Sequence, residues 1–455
     1  MITHAGTGLF CLARFINLFF REVFFLAAML QNVEYLRLFL SVSSGYGCEM
    51  VVGARVTASG ILLGRNEQSL SYGKPCDMLS SSDSKLGTSW TTFKGNNMRT
   101  GRCSSPFLPK PSFRSMIKLG PILSSPVVDK KTVYVSTITG RIYRIESSSS
   151  TIKWHVNVSS PIVSTPSIYN DRLVLGSFST WINSQTTNHE PSKIAAFELQ
   201  DGTEDWKFEL KEGVFSSICS LRDIHVFGCL DGKIYALDLE GNLKWQFATD
   251  AEVWCSPSSD GNRIFVGSDD GWLYAFDLDG DLVWKTKLNG KIRSSSPCLT
   301  NDDDDNTVGS LYIGTQVGLL YRINKDNGAI LWTADLGSPI LSSPSLFRNH
   351  IVVESSDGYL HCVKSTDGSF FWNFRTAGKI WSSPIVVEEG LKVFVGSLDS
   401  HIYCLELSSS QLLWKFPTMD MIDSSPCIAS GMLFVGSRDG YLYVFDRGDM
   451  IPYIR

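Results

Sequence analysis

The chain has 455 residues, with 41 Lys and Arg against 46 Asp and Glu, a net charge of −5 and a pI near 5.9. No basic excess of the kind that neutralises a phosphate backbone is present, which argues against a nucleic-acid binder. Charged residues make up 19%, below the ~25% usual in globular domains, while 38 Gly and 12% aromatic residues favour buried sheet over helical bundles or disorder.

Residues 1–40 read as an apolar, helical segment. Between residues 9 and 40 the Phe and Leu are broken up by Arg14, Arg21, Glu22, Glu34 and Arg37, and the longest uncharged stretch there, 23–33, falls short of the ~18 residues of a spanning helix. No Lys or Arg precedes the apolar stretch and acidic residues lie inside it, so it is not a clean signal peptide. Membrane association through residues 9–40 stands as an alternative. Residues 41–88, rich in Ser and Gly without periodicity, read as a linker, and the folded domain is placed at 89–455.

Residues 121–455 contain one unit written eight times, marked by Ser124-Ser125-Pro126, Ser164-Thr165-Pro166, Ser216-Ser217-Ile218, Cys255-Ser256-Pro257, Ser295-Ser296-Pro297, Ser342-Ser343-Pro344, Ser382-Ser383-Pro384 and Ser424-Ser425-Pro426. The third positions lie 40, 52, 39, 40, 47, 40 and 42 residues apart, which is an array. After each triplet come an apolar strand ending in a small residue, a turn with a second strand, and a strand closing on Trp. Ile264-Phe265-Val266-Gly267, then Asp270-Gly271 and Trp272-Leu273-Tyr274-Ala275-Phe276, then Leu282-Val283-Trp284 shows all three. The Asp-Gly turns are hairpin signals, with φ > 0 expected at both residues.

Each unit is therefore four antiparallel strands, and eight such sheets bury their faces only when stacked radially, as an eight-bladed β-propeller. The closing Trp occurs seven times, at Trp154, Trp206, Trp245, Trp284, Trp332, Trp372 and Trp414. The last unit lacks it, so its outer strand is assigned to 112–118, which closes the ring. These Trp read as packing between blades, and the Ser-Ser-Pro triplets as architecture, with Pro at a strand start and Ser satisfying nearby backbone groups.

The stretch Ala236-Leu237-Asp238-Leu239-Glu240-Gly241-Asn242-Leu243-Lys244-Trp245 resembles the repeat of pyrroloquinoline-quinone (PQQ) type propellers, Ala-x-Asp-x-x-(Thr)-Gly-x-x-x-Trp. Residues 275–284 match equally, 196–206 and 363–372 match with substitutions, and Trp90-Thr91-Thr92-Phe93-Lys94-Gly95 with Thr100-Gly101 is similar to the lead-in of such domains. No Trp-Asp and no Gly-His dipeptide occurs, which excludes the WD-repeat propeller. The resemblance implies an all-β, quinoprotein-like fold; it does not by itself imply chemistry. Quinoprotein dehydrogenases carry a disulfide between adjacent Cys, a Ca²⁺ and an Asp base. None of the 11 Cys here is adjacent to another, and no Asp or Glu matches that catalytic motif.

Two non-enzymatic relatives are closer in build: the periplasmic lipoprotein of bacterial outer-membrane barrel assembly, and the C-terminal propeller of acyl-activating enzymes similar to 2-aminoadipic semialdehyde dehydrogenase. Cys219, Cys229, Cys298, Cys362, Cys404 and Cys427 fall mostly in strands and form no disulfide framework, which favours a cytoplasmic location. A membrane-associated, periplasmic or secreted location is the alternative.

The residue before each triplet is expected to line the mouth of the central channel: Leu123, Val163, Phe215, Trp254, Ser294, Leu341, Trp381 and Asp423. Phe215, Trp254 and Trp381 offer stacking surfaces and Arg293 and Asp423 polar handles, so these five are the candidate ligand or partner contacts. Asn301-Asp302-Asp303-Asp304-Asp305-Asn306 lacks the ligand alternation of a Ca²⁺ loop and reads as solvated, and the insertion 178–192, with Trp181 and His189, reads as a partner-binding loop. No zinc spacing, nucleophile elbow or phosphate loop occurs. The main reading is a monomeric, non-catalytic scaffold that binds a protein or small ligand, with no cofactor, no metal and no nucleic acid. The alternatives are part of an acyl-activating enzyme, or a dehydrogenase using PQQ with Ca²⁺.

Overall fold

A computed structural model describes residues 89–447 apart from 105–109, 179–190, 294 and 301–308, together with the backbone of three strands between 36 and 64. The chain divides into two compact units, Met1–Leu79 and Ser80–Arg455. In the first, Leu36–Ser44, Cys48–Thr57 and Gly60–Gly64 form an antiparallel meander, where the sequence suggests the end of a helical stretch and the start of a linker. Residues 1–35 and 65–88 lie outside the described residues.

The second unit is a propeller of eight four-stranded antiparallel blades, numbered here from the N-terminus. Blade 4 is representative: an inner strand Ser258–Ser259, then Ile264–Gly267, Trp272–Phe276 and the outer strand Leu282–Lys287. Its two middle strands are almost wholly buried, because each face packs on a neighbouring blade, and they read as continuous apolar runs. The outer strands alternate in exposure, and all eight carry a bulge just before the Trp position. A bulge there twists the open edge and blunts it against strand addition.

Adjacent blades lock through the Trp. Six of the seven donate the indole N–H to a carbonyl in the next blade's outer turn, as from Trp206 to Leu239 at 2.8 Å and Trp245 to Leu278 at 3.1 Å. The turn glycine of that next blade lies flat on the ring: a Cβ on Gly280, at φ +91°, would come 2.6 Å from Trp245. Ring closure follows the expected route, with Ser112–Lys118 pairing with Tyr441–Asp446. At this joint Ser115 stands where the other blades have Trp, Ser150 replaces the turn glycine, and their hydroxyls meet at 2.7 Å.

The triplets have a definite task. Except at Ser342, their first residue bonds the end of the second strand, as Ser164 Oγ does with Gly176, and their second forms a circle around the channel. The N–H of each second residue donates to the hydroxyl of the next: 125 to 165, 165 to 217, 217 to 256, 296 to 343, 343 to 383, 383 to 425 and 425 back to 125. The eighth link is missing between Ser256 and Ser296, whose Oγ has no partner among the described residues.

Two expectations are corrected. In the Asp-Gly turns only Gly has φ > 0, as at Gly232 (80°). The Gly232 N–H closes onto the carbonyl of Cys229 and the Asp231 carboxylate caps the N–H of Lys233, so Asp acts through its side chain, not through a left-handed backbone. The residues before the triplets precede the inner strands by several residues, Leu123 against Val127–Asp129, and belong to the loops entering them.

Residues 89–103 fill the end of the channel where the inner strands finish. Trp90 bridges Val128 of blade 1, and carbonyls of Thr91, Asn97, Met98, Thr100 and Gly101 accept from blades 2, 4, 5, 6 and 7 in turn. Arg102–Cys103 then adds a parallel strand to blade 7, and Cys103 Sγ reaches blade 8. Lys94 and Arg99 are fully buried within this plug, held by Ser343, Ser345 and Pro384 and by Pro257, Thr92, Phe93 and Ile218 respectively.

Candidate functional site

Strand direction alternates through each blade, so the loops entering the inner strands and the turns after the second strands share one face, opposite the plug. Every such turn donates a backbone N–H to the entering loop, as Asp269 to Glu252 at 3.0 Å and Arg438 to Met421 at 3.0 Å. The first residue of the turn is thereby held beside the residues ahead of the triplet.

Two clusters result. In one, Phe178 meets Phe215 edge-on at 4.6 Å, Phe215 meets Trp254 at 4.5 Å, and the Arg293 guanidinium lies 4.7 Å from the Trp254 ring. Arg293 is forked onto Asp269 through Nε and Nη2, and Lys291 adds a contact at 3.3 Å; the Asp269 side chain has no exposure left. The Trp254 Nε1 is buried with no partner among the described residues. In the other cluster, Arg438 is bidentate on Asp423 at 2.6 and 2.8 Å and lies 5.8 Å from the Trp381 ring. That bond holds the Arg438 proton more tightly than usual.

Phe215, Trp254 and Arg293 thus come together, while Trp381 and Asp423 are joined only by Arg438. Asp269 and Arg438 are not evident from the triplets. Their signal is the position just ahead of the turn Asp, in Asp269-Asp270-Gly271 and Arg438-Asp439-Gly440. Ser294, the insertion residues 179–190 and the aspartate run at 301–306 lie outside the described residues.

Elsewhere in blade 6, Ser355 Oγ lies 2.8 Å from His361 Nε2 and His361 Nδ1 3.0 Å from Asn373, an array like that of a hydrolase. Ser355 is fully buried and its hydroxyl donates to Asp357, so it is no nucleophile. His361 stands where blades 3, 4, 7 and 8 place a Tyr bonded to the same turn Asp, as Tyr235 to Asp231. The eight described Cys are buried, and burial pushes thiols such as Cys255 and Cys362 up to about 12.

Among the described residues no three His, Cys, Asp or Glu gather as a metal group. The two carboxylates bonded beside the aromatic rings, Asp269 and Asp423, are each taken up by an arginine, so neither is free to hold the Ca²⁺ of a quinone site or to act as a base.

A family model described as outer membrane protein assembly factor BamB matches residues 87–253 and 356–450, more than half of the chain. The chain belongs to that family. The BamB of Yersinia pestis is 22% identical over 284 residues, 60% of this chain, and the chain spans about three fifths of the length of the curated relatives it matches. The crystal structure of BamB from Moraxella catarrhalis superposes with a TM-score of 0.61 at 20% identity, covering 74% of this chain and 97% of that one. A europium-containing methanol dehydrogenase gives 0.68 at 12% identity, covering 80% and 99%, a likeness of fold alone. A second family model, described as the β-propeller of the beta-alanine-activating enzyme, matches residues 187–394, so BamB kinship and that propeller share this repeat.

Proposed function

We propose that the chain is a non-catalytic propeller scaffold that holds a partner protein on the face carrying the channel mouth, as an assembly factor does. The observation that carries this reading is the pair of Trp rings there, each steadied by an Arg–Asp fork that takes up the acid beside it, Asp269 or Asp423. Forked, rigid Trp and Arg side chains are the residue types that dominate protein interfaces. The family's description favours a membrane-associated or periplasmic location over the cytoplasmic one suggested by cysteine usage. Thiols buried this deeply are protected from oxidation in either compartment.

The test is replacement of the native assembly factor. The full chain, exported to the periplasm of a bacterium lacking BamB, is expected to restore the level of folded outer-membrane barrels, and W254A/W381A to restore it poorly while keeping a native circular dichroism spectrum. Folded, exported wild-type chain that restores nothing would overturn the reading. A second reading rests on the match to the beta-alanine-activating enzyme propeller, which runs from blade 2 into blade 7: an accessory domain of an adenylate-forming enzyme. Stable association with a separately expressed adenylation domain, measured by calorimetry, would favour it.

A further inference from the structure

The mouth face is not uniform. On blades 7 and 8 three large apolar side chains stand out from it: Trp381 is 40% exposed, Met419 62% and Met421 39%. They adjoin one another through Arg438, which lies over Trp381 and whose N–H bonds the Met421 carbonyl, while the Met419 N–H is fixed on Asp439 at 3.0 Å. Four aspartates surround them. Asp423 is matched by Arg438 and the largely buried Asp399 lies 3.3 Å from His401, while Asp420 and Asp439 have no ion pair among the described residues. Asp399 and Asp439 accept from Tyr403 and Tyr443, bonds that fix them in place.

We propose that this patch receives a partner segment that presents a large apolar side chain between basic residues, a proposal that rests on the partner-scaffold reading above. Exposed Met and Trp side by side are costly to leave in water and adapt to an entering side chain, the thioethers by rotation and the indole as a flat wall. The unmatched carboxylates set the sign of what approaches, steering a cationic segment in and turning an acidic one away. On blades 2 to 5 the Phe215 and Trp254 cluster is closed by Phe178 and Arg293, and among the described residues of this face only Val317 of blade 5 is comparably exposed.

The experiment uses the full chain and three labelled heptapeptides, Lys-Lys-Leu-Phe-Leu-Lys-Lys, Glu-Glu-Leu-Phe-Leu-Glu-Glu and Lys-Lys-Ser-Gly-Ser-Lys-Lys, followed by fluorescence anisotropy. The first is expected to bind at least about tenfold more tightly than either other peptide, and to lose about tenfold on M419S/M421S and severalfold on D420K, an exposed site that leaves the fold intact. Equal binding of the acidic peptide, or binding unmoved in both variants, would sink the proposal. The replacement assay then separates the two levels: restoration by M419S/M421S at wild-type level places the partner elsewhere on the face and overturns the patch while leaving the scaffold reading intact.

Discussion

Glu354 is the residue at which this chain departs most sharply from its own repeat. Six blades place Gly at the end of the second strand, because a Cβ there would press into the Val or Ile of the following loop, as Gly267 would at 2.2 Å from Ile292. Blade 6 places a fully buried Glu354, which accepts from the Leu341 N–H at 3.2 Å with its second oxygen unmatched among the described residues. Burial pushes its carboxyl from 4.5 up to about 8. A raised acid binds its proton more tightly in the folded state, so its contribution is complete below pH 4.5 and is lost as pH rises through about 8. The difference in urea midpoint between wild type and E354Q should therefore shift against wild type across that range; a difference independent of pH would refute it. Lys94 behaves in the opposite sense. Burial lowers its ammonium from 10.5 to about 7, so the unfolded chain binds the extra proton between those values and stability gains as pH rises. Between pH 7 and 9 wild type should gain on K94M, which shares its thiols and phenols so that their titration cancels, again read from urea midpoints.

Between blades the working element is the Trp on its glycine. G280A adds a methyl 2.6 Å from the Trp245 ring in a backbone conformation of φ +91°, and is expected to cost about 1–3 kcal/mol in urea unfolding. The joint between blades 8 and 1 lacks this lock, so S115W combined with S150G should install it and raise stability by about 1–2 kcal/mol. No gain in the urea midpoint would show that the seam cannot accept the ring. These elements were legible because each repeats: the triplets, the seven Trp and the Trp missing from the last unit identify blades, closure and the packing role of the indoles. The plug was not. Its bonds are spread over all eight blades, and no local pattern marks Lys94 or Arg99 as buried, since long cationic side chains ordinarily end in water. The candidate site was half legible for the same reason: the triplet locates Phe215, Trp254 and Trp381, while Asp269 and Arg438 arrive from turns of a different strand pair.

At the scale of the whole ring, the plug fills one end of the channel and, at the other, the acids beside the Trp rings, Asp269 and Asp423, are tied up by arginines. Titration of the full chain with PQQ and Ca²⁺ should leave its Trp fluorescence unchanged, and saturable quenching abolished by W254A or W381A would reverse that conclusion. The circle of Ser N–H bonds also has a broader consequence. Its break lies between blades 4 and 5, and the joint without a Trp lies between blades 8 and 1, four blades away. In a ring of eight these two places are opposite ends of one diameter. The two half-rings, blades 1–4 and blades 5–8, are thus joined across one seam without the Ser bond and one without the Trp, and the plug is bonded to both of them.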